Sequence, residues 1–157
     1  MRKQKGFTLI ELLIVIAIIA ILAVIVFVAL DPLTRFKSAR DATRWSDITA
    51  VLDSVKYNQV DNGGSYIAAI SGLTNGNYYT IGTCAVGGDS GCGAQTTQAA
   101  CADLTGLVTS GHIAKIPTDP STGTASKTDY YVSKAATGVI TIGSCDPEGG
   151  SAINVSR

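Results

Sequence analysis

The sequence predicts an α+β protein: a long amino-terminal α-helix packed on a small antiparallel β-sheet. Three observations carry that prediction. Leu12–Leu30 is a run of 19 residues without a charge, nearly all Leu, Ile, Val or Ala, and apolar residues at helical spacing continue beyond it. After Gly63, short β-type runs alternate with stretches rich in Gly, Ser, Thr and Asn. All four cysteines lie in that second, loop-rich part.

The chain has 157 residues, 46% of them apolar, and a formal net charge of zero. That length suits one modest globular domain with an appended element. Residues 1–6 form a basic leader containing Arg2, Lys3 and Lys5; without it, Lys plus Arg falls from 12 to 9 against 12 acidic residues, a balance of −3. No basic block is large enough to suggest a nucleic-acid tract. Residues 7–30 read as a membrane-length helix, since 19 residues at about 1.5 Å each span roughly 29 Å. The apolar region of a cleaved secretory signal is shorter, about 7–15 residues, and ends in a small-x-small site that is not clear here. The segment is therefore expected to stay in the mature protein.

Residues 31–62 read as an amphipathic continuation. Trp45, Ile48, Leu52 and Val55 fall on one helical face, with Arg44, Asp47, Asp53 and Lys56 expected on a solvated one, paired at helical separations. Asp61-Asn62-Gly63-Gly64 is a stop, because Asn and Gly accept the left-handed geometry that ends helices. One helix would then run from about Phe7 to Val60, roughly 80 Å. Pro32 lacks a backbone donor and disfavours helical geometry at Asp31, which predicts a kink or short break there.

Glu11 is the oddity. A carboxylate in hydrocarbon costs on the order of 2.5–3.5 kcal/mol on insertion scales, which makes an intramembrane acid a functional hypothesis in search of a partner. No Lys, Arg or His lies in the apolar segment. A cut between Gly6 and Phe7 would create an α-amino group, and a neighbouring copy displaced along its axis would bring that amine to Glu11. The other reading is a surface-snorkelled acid favoured by the helix N-terminus.

The stretch KGFTLIELLIVIAIIAIL closely resembles the amino-terminal signature of type IV pilins and of type II secretion pseudopilins, with a class III-type leader. The resemblance covers about residues 3–27. It implies cleavage after Gly6, methylation of Phe7 by the same peptidase, and a role for Glu11 in subunit registration and assembly. Many relatives carry a mid-segment Gly and a later Pro where this chain has Ala20 and Val28, with Pro32 one turn further on.

Residues 63–157 are expected to form a disulfide-bearing β-rich head. The strand candidates are Ser65–Ile70, Tyr78–Gly82, Asp129–Lys134 and Val139–Ser144, the last two joined by the hairpin signal Ala135-Ala136-Thr137-Gly138. Residues Ala99–Ser110 read as a short helix. Cys84, Cys92, Cys101 and Cys145 show no CxxC spacing, which favours two disulfides over zinc and places the head outside the cytoplasm. Three pairings are open. The similar strand ends IGTC and IGSC favour Cys84–Cys145 with Cys92–Cys101, and four free thiols are the alternative. IPTDPSTGTASKTDYYV resembles a loop of major pseudopilins and small pilins, some of which hold calcium there. Asp119 and Asp129 are the corresponding oxygen donors, but no dense acidic loop surrounds them, and turn chemistry is the expected role of Asp119.

No cofactor and no enzymatic activity are expected. His112 stands in a loop without a serine elbow or metal-ligand spacing, and GGDSGCGAQ lacks the Lys-Ser/Thr ending of a phosphate loop. The resemblance implies a homopolymer-forming pilus subunit, single-pass in the inner membrane with its head outside the cytoplasm, and then part of an extracellular filament. Its implied partners are membrane lipid, a prepilin peptidase and methyltransferase, an assembly ATPase and a membrane platform protein, with nucleic acid no default partner. The alternatives are a secretion pseudopilin, a minor pilin acting as adhesin or DNA-binding tip, and an anchored hydrolase, for which no constellation is found.

Overall fold

The structure, a computed structural model, describes residues 6–88 and 91–157. The chain divides into two compact units, Met1–Phe36 and Lys37–Arg157. The first is built on α1, Leu9–Leu30. Thr8 is its N-cap, extended at φ −82° and ψ 152°, and none of the helix's side chains is buried. The helix stops at Asp31, which takes left-handed geometry (φ 37°, ψ 68°), a conformation that Asp tolerates better than most residues.

A second helix, α2, starts at once and spans Pro32–Asp61. Proline at the first helical position needs no donor, and its fixed φ is already helical. The Asp31 carboxylate accepts from the Thr34 hydroxyl at 2.6 Å, while Arg35 Nε donates to the Leu30 carbonyl at 2.9 Å. The end of one helix and the start of the next are thus both satisfied by side chains. The predicted interruption near Pro32 is a one-residue break at Asp31.

In the second unit α2 ends as the sequence indicates. Gly63 and Gly64 have φ of 62° and 93°, and the Gly64 amide returns to the Gln59 carbonyl at 2.8 Å. Four antiparallel strands lie in the order β1-β2-β3-β4: Tyr78–Thr80, Tyr130–Lys134, Ile140–Ser144 and Asn154–Ser156. The β2–β3 hairpin closes through Ala135, whose amide bonds Val139, and Gly138, at φ 86°. Alternation along the strands sends Tyr79, Tyr130, Val132, Ile140 and Ile142 into one core with Ile48, Val51, Leu52 and Val55 of α2. On the other sheet face Tyr131 is buried over Gly143, where an added Cβ would lie 2.4 Å from the tyrosine ring.

Several expectations are corrected. Ser65–Ile70 is no strand: Ala68–Ser71 forms a helical turn, α3, whose Ile70 enters the core. The helix expected over Ala99–Ser110 shrinks to α4, Thr105–Thr109. The preceding segment instead runs beside β1, with parallel bridges Tyr78↔Thr97 and Ile81↔Ala102. Strand β4 had no counterpart in the prediction. Trp45, expected in the apolar face, is 44% exposed, whereas Arg44, expected in solvent, is 1% exposed.

Candidate functional site

Gly6, Phe7 and Thr8 precede the first helical turn without regular structure, and Phe7 is 91% exposed. A Cβ built on Gly6 meets nothing within 4 Å. Glu11 sits one turn in. Its Oε2 accepts from the Thr8 amide at 2.8 Å and from the Thr8 hydroxyl at 2.7 Å, while the Glu11 amide donates to Thr8 Oγ1 at 3.3 Å. This is a capping box, in which two orphan donors at a helix start are satisfied reciprocally. The carboxylate therefore has a partner within its own chain, held one residue from the atom that cleavage would turn into an amine. Thr8 escaped the sequence reading, although Thr-x-x-Glu before an apolar run is the signature of this motif.

All four cysteines are oxidised, but the pairing differs from the one preferred above: Cys84 bonds Cys101, and Cys92 bonds Cys145. The similar strand-end sequences misled, because β3 pairs with β2 and β4 rather than with β1. Cys84 and Cys101 instead join the end of β1 to the segment bridged alongside it.

Asp119 and Asp129 are both buried and 3% and 2% exposed. Neither is set out as a cation site. Asp119 takes two bonds from Arg44, Nε at 2.5 Å and Nη2 at 3.0 Å, and its Oδ1 also accepts the Ser121 and Thr122 amides at 2.8 and 3.2 Å. Asp129 lies 3.1 Å from Lys127 Nζ. Among the described residues no group of three or more His, Cys, Asp or Glu side chains could hold a metal ion. Asp119 performs turn chemistry and closes an ion pair that joins α2 to its loop.

That pair is the centre of a network. Arg44 Nη1 also reaches Asp41 at 2.7 Å and Glu148 at 3.4 Å, and Glu148 bonds Arg40 at 2.7 and 3.0 Å. Asp41 accepts the amides of Glu148 and Gly149 at 3.1 and 2.6 Å. Burial opposes ionisation of Asp119, but the Arg44 guanidinium and two amides outweigh it and hold its carboxyl below the ordinary range. The same balance lowers Asp41, through the Glu148 amide and Arg44. Asp47 is shifted the other way, because burial outweighs the 2.7 Å bond it accepts from Tyr130 Oη. His112 is not in open solvent: its side chain is 13% exposed and lies 3.5 Å from Asp61.

The apolar helix is long enough to cross a membrane and is consistent with membrane anchoring. Comparison with protein-family models matches residues 1–27 to the prokaryotic N-terminal methylation motif. Comparisons with curated proteins and with solved structures gave no match. That match agrees with the class III-type leader read from the sequence and supports a type IV pilin-like or pseudopilin precursor.

Proposed function

We infer that the chain is a non-enzymatic subunit of a type IV pilus, cut after Gly6 and assembled from the membrane. The observation that carries this reading is the placement of Glu11. A carboxylate is fixed by Thr8 at the start of a helix whose apolar side chains are all exposed, one turn from an accessible Gly6–Phe7 bond. Membrane lipid covers those side chains before assembly, and other subunits cover them afterwards. The new Phe7 amine of one copy meets Glu11 of the next, which neutralises both charges as they leave the headgroup region. A prepilin peptidase and methyltransferase, an assembly ATPase and a platform protein complete the system. The head then faces outside the cytoplasm, where its disulfides persist.

A second reading, a type II secretion pseudopilin, keeps the same architecture; the loop around Asp119 resembles that of major pseudopilins as well as that of small pilins. Surface fibres in electron micrographs support the pilus, and their absence beside a periplasmic polymer supports the pseudopilin. Mass spectrometry of the mature amino terminus tests both together. A methylated Phe7 is expected; an intact Met1, or a cut near Ala29, overturns both.

A further inference from the structure

The head carries an apolar cleft beside α4. Its volume is about 430 Å³, within the range of roughly 300–1,000 Å³ that holds small organic ligands. Ile81, Leu104 and Thr128, each 1% exposed, form its floor. Val108 of α4 and Ile116, both half-buried, form walls. The Thr128 hydroxyl is spent on the Ile81 carbonyl at 2.7 Å, so the floor offers an occupant mainly apolar surface. Lys115 is the single charged residue in the lining.

That lysine decides what the cleft would accept. It is exposed and in no ion pair among the described residues. The acid that feels its charge, Asp47, is already bonded to Tyr130 at 2.7 Å. An ammonium at the rim of an apolar basin complements a ligand with an apolar body and one anionic end. We propose that the cleft binds a small amphiphilic monocarboxylate, its ring or short chain over Ile81 and Leu104 and its carboxylate at Lys115. The cleft lies wholly within the 37–157 unit.

The test uses the full chain in zwitterionic nanodiscs, with empty nanodiscs as background, and fluorine NMR of 4-(trifluoromethyl)benzoate. The isosteric amide and the corresponding benzylamine serve as neutral and cationic probes. Saturable benzoate binding above background is expected, with the benzylamine weaker. Ala125→Trp fills the mouth from an exposed position and should abolish binding of all three probes while leaving the melting temperature unchanged. Lys115→Gln should weaken benzoate by about two- to fivefold, the scale of an exposed charge pair, and leave the amide unaffected. No saturation above empty nanodiscs, equal binding to Ala125→Trp, or a preference for the amine overturns the proposal.

Discussion

Replacing Asp119 with alanine would leave the Arg44 guanidinium buried without its main counter-ion. Both side chains are at most 1% exposed, and the pair is bidentate at 2.5 and 3.0 Å. Breaking such a pair from one side costs about 3–5 kcal/mol, because the remaining charge keeps its desolvation penalty. Asp41 and Glu148 still touch Arg44 at 2.7 and 3.4 Å, which puts the loss toward the lower figure. At about 2.1 cal/mol/K of unfolding entropy per residue, the 37–157 unit loses roughly 4 °C per kcal/mol, so the melting temperature should fall by about 12 °C. Near-UV circular dichroism of the full chain in detergent, with disulfides intact, reads this from the buried tyrosines. Arg44→Met combined with Asp119→Asn should melt above the single Asp119→Ala variant, since a buried pair can be exchanged for neutral groups more cheaply than it can be halved. A fall of less than about 4 °C for Asp119→Ala would place the pair among surface ion pairs and refute the reasoning. The pH dependence has a definite sign. Asp119 and Asp41 have folded pKa values below their unfolded ones, so their contribution is complete above the unfolded carboxylate range and is lost as pH falls through the folded values. Melting temperature should therefore drop below about pH 4, and less steeply in Asp119→Ala.

Glu11→Gln keeps the acceptor for Thr8 but removes the charge, whereas Glu11→Ala removes both. If charge pairing drives assembly, both variants should insert in the membrane normally and yield few sheared filaments; full filament yield from Glu11→Gln would reduce the residue to a helix cap. Non-reducing peptide mapping should recover Cys84 linked to Cys101 and Cys92 linked to Cys145. The chain-entropy account then predicts a loss of about 4 kcal/mol on removing the 53-residue closure and about 3 on removing the 17-residue one, measured by denaturant unfolding. Tyr130→Phe should cost about 1–3 kcal/mol by leaving the Asp47 carboxylate short of its buried donor. Asp47→Asn with Tyr130→Phe, followed by the same unfolding assay, should couple to it.

Local pattern carried the parts of the fold that depend on neighbours in the chain. The apolar run, the Pro32 interruption, the Gly63-Gly64 stop and the β2–β3 hairpin all have their causes within a few residues. Trp45 and Arg44 show where this fails. The buried stripe of α2 runs Arg44, Ile48, Val51, Val55, Asn58 in steps of three and four, so the helical phase was legible. A charged residue at its head makes sense only with Asp119, 75 residues away. Strand β4 has three residues and exists because β3 offers it an edge, and the disulfide pairing depends on strand order in the same way. At the candidate site, Gly6, Phe7 and Glu11 were readable from the motif. Thr8 needed only its spacing to Glu11, and the cleft beside α4 needed the whole head.

The loop at Asp146–Gly150 and the carboxy-terminal Arg157 grip α2 at two heights: Glu148 and Gly149 hold Arg40 and Asp41, and Arg157 holds Asp53 at 2.7 Å. Cys145, at the root of that loop, is welded to Cys92. Tension drawn along α2 would thus pass into the last strands through several bonds strained side by side, and these would have to rupture together rather than unzip in turn.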